Sequence, residues 1–274
     1  MKEKINKSKK KIIGTKVEDT YHLIDSKTPF AVKEAFGLLR TNILYASAGG
    51  EKTPVYGVVS AGESSGKSVI VSNLALAFAK SGKKTLLIDA DMRCPVLHKI
   101  FGYEKNHKGL SEYISGLVDE KSDIIFDTDR EGLYVVPAGH IPPNPSELII
   151  SNRFAALIEE LREDYDYIFI DLPPISIVSD ALAVVNSIDG YMFVVRSNFS
   201  ERISVRESIE KLEQIEARIV GIVLNDLNFK DGMQRSKYRG KYGRYSRYGK
   251  YSKYNGTSRY EISHNEANDK APEK

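Results

Sequence analysis

The stretch VYGVVSAGESSGKSVIVSNLALAFAKSG, Val55 to Gly82, decides the fold. It opens on VYGVVSA (55–61), a short apolar run without the alternation of a half-exposed strand. Such a run marks a strand buried on both faces. KSVIVSNLALAFAKSG (67–82) follows, apolar over a helical length. Between them, Ala61-x4-Gly66-Lys67-Ser68 has the form of a phosphate-binding loop, with Ala in place of the usual first Gly. Each residue type answers to the chemistry of a phosphate. Gly62 and Gly66 let backbone N–H groups turn inward around phosphate oxygens, and the following helix aims its positive end at the same anion. Lys67 is placed to reach the β- and γ-phosphates, and the Ser68 hydroxyl to bind Mg2+. Glu63, Ser64, Ser65 and Val69 complete the candidate ATP-binding set.

The same alternation continues outward. Apolar runs recur at TLLIDAD (85–91), LYVVPAG (133–139), YIFIDLPP (167–174), YMFVVR (191–196) and GIVLND (221–226). Helical spacing marks TPFAVKEAFGLLRTNILYAS (28–47), PSELIISNRFAALIEELRE (145–163) and SERISVRESIEKLEQI (200–215), with Thr28-Pro29 a good helix start. Strands alternating with helices predict an α/β fold with a doubly wound, mostly parallel sheet. Its ligand is expected at the carboxyl ends of the strands. Two runs end in carboxylates there: Asp89 and Asp91 after one, Asp171 after the other. A carboxylate on that rim holds Mg2+ directly or through water, or accepts a proton from a nucleophile. The plainer reading, that each caps a following helix, weakens when three stand beside one phosphate loop.

From about Phe229 the pattern stops. The expected organisation is a basic N-terminal arm (1–27), a P-loop domain (28–229) and a tyrosine-rich tail (230–274) without a folded core. The net charge of +3 conceals an asymmetry, because residues 230–260 hold ten Lys/Arg against the single acid Asp231. Interleaved with them stand Tyr238, Tyr242, Tyr245, Tyr248, Tyr251, Tyr254 and Tyr260. The lone cysteine, Cys94, excludes a disulfide framework and fits a reducing compartment. No apolar run is long enough to span a bilayer and the lysine-rich start lacks the apolar stretch of a signal peptide, so a cytoplasmic location is expected. The five histidines lack metal-ligand spacing, and no zinc site is expected.

The phosphate loop at 61–68, LLIDADMRCP (86–95) and IFIDLPP (168–174) together resemble the bacterial tyrosine kinase (BY-kinase) family, relatives of the ATPases that include MinD and ParA. The second stretch is similar to that family's second Walker A motif and the third to its Walker B motif. GHIPPNPSEL (139–148) and VSDA (178–181) also match. The resemblance covers about residues 30–227. It implies a protein-tyrosine kinase that uses ATP and Mg2+. Lys67 would bind phosphates and Ser68 would ligate the metal. Asp89 would lie near the metal and the incoming phenol as the base, and Asp91 and Asp171 would support the metal and its waters. Arg93 matches the Arg of the second Walker A motif, without an assigned role. Asn225 either reads the adenine edge or simply ends a strand. The family's ring-forming helix commonly reads Glu-x-x-Arg-x-x-Arg; here Glu34 and Arg40 match it and Gly37 replaces the first Arg, so ring assembly is expected to be weaker or differently made.

The resemblance further implies a transmembrane adaptor that activates the kinase at the inner face of the membrane. It implies a homo-oligomeric ring in the unphosphorylated state, a cognate tyrosine phosphatase, and polysaccharide-synthesis enzymes among the substrates. The tail tyrosines then read as phosphoacceptors. A flexible chain from residue 229 brings Tyr238 within roughly 16 Å and Tyr254 within roughly 28 Å of its anchor. Each phosphate adds about −1.5 to −2 of charge, enough in sum to invert the tail. A MinD/ParA-like switch without kinase activity leaves the tyrosines unexplained. A nucleic-acid binder stacking Tyr and Arg on bases suits the tail physically, but no nucleic-acid partner is expected of such a kinase.

Overall fold

The computed structural model describes residues 22–50, 52–103 and 107–227. The chain divides into two units, Met1–Asn228 and Phe229–Lys274. The tail and its seven candidate tyrosines lie outside the described residues.

Seven strands form one sheet: β1 (Val55–Ser60), β2 (Thr85–Asp89), β3 (Phe126–Asp127), β4 (Leu133–Val136), β5 (Tyr167–Asp171), β6 (Gly190–Arg196) and β7 (Ile219–Asn225). Their order is β3-β4-β2-β5-β1-β6-β7. Every pairing is parallel except β3 with β4. All residues of β1, β2 and β5 are buried, which is why their sequences are apolar without alternation. Helices α1 (Phe30–Ala46), α2 (Lys67–Ala79), α3 (Leu97–Phe101), α4 (Leu110–Ile114), α5 (Pro145–Ile149), α6 (Asn152–Arg162), α7 (Asp180–Ala183) and α8 (Arg202–Gln214) complete the domain.

Alternate strand residues feed two cores. Val55, Val59, Leu86, Ile88, Ile168 and Ile170 pack with α4, α6 and Leu212 of α8. Tyr56, Val58, Leu87 and Phe169 face the other way, onto α2, α3 and Ile43 of α1. The sheet is thus covered on both sides, as the alternation of strands and helices predicts. The chain leaves β1 toward β2 and later crosses from β5 over β1 to β6. The loop after β1 therefore sits where the winding reverses, a place where such sheets bind ligands.

Three local expectations need correction. The helix predicted over 145–163 is two helices, because Ser151 caps α6: its Oγ accepts the Phe154 N–H at 3.3 Å. Thr28 does not cap α1. Its hydroxyl and N–H both bond Asp25 Oδ1 at 2.9 Å, closing a turn before the helix, and α1 starts behind Pro29. Residues 22–24, within the stretch read as a basic arm, lie against α2. Ile24 is buried, its N–H donates to Asn73 Oδ1 at 2.7 Å, and Lys80 Nζ donates to Ile24 O at 2.9 Å.

Candidate active site

The phosphate loop is built on glycine at one decisive point. Gly66 has φ +84°, and a Cβ there would collide with Asn225 Nδ2. Backbone handedness demands glycine, and a Cβ would also have to displace the Asn225 amide. Gly66 is also the N-cap of α2, with no side chain bonding the helix end. The first backbone bond of the helix runs from Ile70 N–H to Gly66 O. The amides of Lys67, Ser68 and Val69 therefore have no acceptor within the helix, and they add the positive end of its dipole. Glu63 and Ser64 form the exposed outer rim of the loop. Ser65 is buried, and its hydroxyl donates to Gly62 O at 3.2 Å.

Beneath the loop lies a buried charge cluster. Asp89 ends β2, Asp171 ends β5, and the two stand opposite each other in the register of neighbouring parallel strands. Lys67, only 6% exposed, places Nζ 2.5 Å from Asp171 Oδ1 and 3.9 Å from Asp91 Oδ2. Ser68 Oγ is 3.5 Å from the same ammonium. Asp89 Oδ2 accepts the Leu97 N–H at 3.2 Å, and Asp91 Oδ1 accepts the Cys94 N–H at 3.0 Å. Burial, then the neighbouring carboxylates of Asp171 and Asp91, push the Asp89 carboxyl well above its ordinary range. Burial also raises Asp91, against the pull of the Lys67 ammonium.

Two oxygens of this cluster, Asp89 Oδ1 and Asp171 Oδ2, are buried without a hydrogen-bond partner. Orphaned carboxylate oxygens are costly in an apolar interior. Two of them, in a cluster whose Lys67 ammonium also lies 3.5 Å from the Ser68 hydroxyl, are hard oxygen donors of the kind Mg2+ takes. The residues expected from sequence as catalytic or metal-holding (Lys67, Ser68, Asp89, Asp91 and Asp171) are thus brought together.

Other residues expected at the site differ in placement. Asn225 ends β7 and donates Nδ2 to Ser65 O at 2.9 Å, so it buttresses the loop from the side. Arg93 lies on the rim, where its Nε meets Asp180 Oδ2 at 2.9 Å and its Nη2 meets Ser146 Oγ at 2.8 Å. Glu34 is exposed on α1, whereas Arg40 turns into its own chain and donates Nη1 to Ala77 O at 3.1 Å.

The sequence reading missed several neighbours of the site. Asp180 and Ser146 hold Arg93 from the two supporting motifs at 178–181 and 139–148. Glu112 is buried at the root of the latter stretch. It accepts the Gly109 and His140 N–H groups at 2.7 and 3.0 Å, and its Oε1 lies 2.6 Å from His140 Nδ1. Burial pushes the Glu112 carboxyl up, but these bonds together pull it below its ordinary range. Arg196 was also missed; it ends β6 and reaches the phosphate loop.

A family profile described as ParA, NUBPL iron-transfer P-loop NTPase, matches residues 52–240. It accounts for nucleotide use by this fold without separating ATPases from kinases. The tyrosine-protein kinase CpsD of Streptococcus agalactiae serotype III (strain NEM316) is 39% identical over 208 residues, covering 75% of this chain and 88% of that protein. The chain belongs to the bacterial tyrosine kinases. The kinase domain of the Escherichia coli tyrosine kinase ETK agrees, with 32% identity and a TM-score of 0.69 over 78% of this chain and 86% of that one. The septum site-determining protein MinD from Pyrococcus horikoshii OT3 shares the fold at 23% identity and a TM-score of 0.55, over 65% of this chain and 72% of that one. As a bacterial tyrosine kinase, the chain transfers phosphate from a nucleotide to protein tyrosine at a P-loop. Among the described residues no helix is long and apolar enough to cross a membrane.

Proposed function

We propose that this bacterial tyrosine kinase is an ATP-dependent autokinase that phosphorylates the tyrosine cluster of its own C-terminal tail and thereby regulates capsule or exopolysaccharide synthesis. The observation that carries the reading is the cluster under the phosphate loop. One buried lysine is shared between Asp171 and Asp91, with orphaned carboxylate oxygens on Asp89 and Asp171.

In this reading the amides at Gly66–Val69 and the Lys67 ammonium bind the β- and γ-phosphates. Ser68, Asp89 and Asp171 would hold Mg2+, which supplies charge neutralisation on the phosphate oxygens when bound. The tyrosine phenol oxygen attacks the γ-phosphorus, the bond to the β-phosphate oxygen breaks, and ADP leaves with that electron pair. Asp89 takes the phenol proton. Tyrosine ionises only near pH 10, so positioning and a local base matter more than its intrinsic nucleophilicity.

The acceptors are Tyr238, Tyr242, Tyr245, Tyr248, Tyr251, Tyr254 and Tyr260, spaced through a segment of ten Lys/Arg and one acid over 230–260. Tethering raises the local concentration of these acceptors at the site. Phosphorylation reverses the charge of that segment and loosens a homo-oligomeric ring in which Glu34 takes part. A transmembrane adaptor activates the chain at the inner membrane face, a tyrosine phosphatase resets it, and polysaccharide-synthesis enzymes are further substrates.

Purified protein, its adaptor and Mg-ATP should yield anti-phosphotyrosine signal that disappears when residues 230–274 are deleted. Size-exclusion profiles should shift to larger species after phosphatase treatment. Phosphotyrosine that persists in the tail deletion would place the acceptors elsewhere.

A further inference from the structure

Four residues other than glycine take positive φ among the described residues: Ser64 (56°), Asn198 (56°), Glu216 (54°) and Asp226 (56°). Two of the four, Ser64 and Asp226, bond a single guanidinium, that of Arg196. Its Nη1 donates to Ser64 O at 3.0 Å, and its Nε donates to Asp226 Oδ2 at 3.0 Å. Its planar head lies 4.9 Å from the centroid of the Phe199 ring. The turn that carries Asn198 closes on Arg196 itself. The Arg196 N–H donates to Ser200 Oγ, and the Ser200 N–H returns to Arg196 O, each at 3.0 Å.

Left-handed backbone is tolerated by Asn and Asp, whose short polar side chains bond locally, but it crowds the Cβ of serine. Asn198 and Asp226 thus suit their positions; Ser64 does not. Ser64 stands two residues before Gly66, in the loop whose amides must converge on a phosphate. Left-handed residues in such a loop are what turn successive N–H groups to one side. Strained backbone persists where its surroundings hold it, and among the described residues the one side chain bonded to the Ser64 carbonyl is Arg196.

We propose that Arg196 is a positioning residue for the nucleotide: its guanidinium, braced by Asp226 and Phe199, holds Ser64 in the left-handed conformation that shapes the phosphate loop. Asn225, paired with Arg196 across β6 and β7, holds the next carbonyl, Ser65 O. The ends of two neighbouring strands thus grip two consecutive peptides of the loop. Without Arg196 the loop spends time in relaxed conformations that bind phosphate poorly, and apparent affinity falls by the fraction still competent. This inference rests on nucleotide binding alone, so it stands or falls independently of the transfer to tyrosine.

The test is a double-mutant cycle on the full chain, with the affinity for fluorescent mant-ADP as the readout and thermal melting in parallel. Arg196→Ala weakens binding about tenfold. Arg196→Lys loses most of that as well, since an ammonium does not span both acceptors as a planar fork does. Ser64→Gly removes the steric demand, so the double variant R196A/S64G binds within about twofold of S64G alone. Rescue by glycine is the result that a merely structural role, or a direct contact between Arg196 and phosphate, does not produce. Binding by R196A equal to wild type, or an R196A loss of the same size with and without the S64G substitution, overturns the proposal.

Discussion

Lys67 Nζ lies 2.5 Å from Asp171 Oδ1, with the two side chains 7% and 0% exposed. Removing one member of so buried a pair leaves the other charge uncompensated, at a cost of about 3–5 kcal/mol. Lys67→Met should therefore lose activity and melt far below wild type. Lys67→Met/Asp171→Asn should recover most of the melting temperature and none of the activity. Denaturation curves of the two variants check this. Equal stability of the single and double variants would show that the pair is not the buried ion pair described.

Asp89 carries the opposite balance. Burial and the adjacent Asp171 and Asp91 carboxylates raise its folded-state pKa above the unfolded value, so ionising it costs stability as pH rises through the raised value. Asp89→Asn keeps an acceptor for the Leu97 N–H and removes that cost. In EDTA at pH 8 the Asn variant should melt above wild type. The gap should narrow as pH falls through the raised pKa toward the ordinary carboxylate range, while kinase activity is absent throughout. Melting temperatures that differ by the same amount across that range would contradict the assignment. A site that functions at the expense of stability is a familiar trade.

Gly37 lies inside α1, where a Cβ would have nothing within 4 Å. Gly37→Ala should stabilise the fold by about 1 kcal/mol and raise the melting temperature by about 2–4 °C. It should leave hydrodynamic size unchanged. Gly37→Arg, which restores a cation beside exposed Glu34, should increase self-association in light scattering. No change with Arg would argue that this helix does not form the ring contact.

The sequence carried the site's chemistry more fully than its mechanics. Continuous apolar runs placed six strands, and the residues ending two of them, Asp89 and Asp171, emerged opposite each other because parallel strands align their carboxyl ends. The loop at 61–68 was legible because its glycines, lysine and serine follow one another locally. What escaped was non-local or very short. β3 spans two residues and has no period to read. The grip of Arg196 on Ser64 joins residues 132 apart and depends on where two strand ends fall. Its faint signal was an arginine closing the run YMFVVR. Arg40 matched an interface motif by spacing, but the geometry of α1 on α2 turned it inward to Ala77 O.

The central claim is that phosphate held above Lys67 passes to the phenols of the tail. Its most direct measurement is site-resolved mass spectrometry of the full chain after incubation with the adaptor and Mg-ATP, with Lys67→Met/Asp171→Asn as the control. Phosphate on tyrosines between Tyr238 and Tyr260 in the wild type, and on none in the control, is the expected result. Nucleotide consumed while those tyrosines stay unmodified would contradict the account.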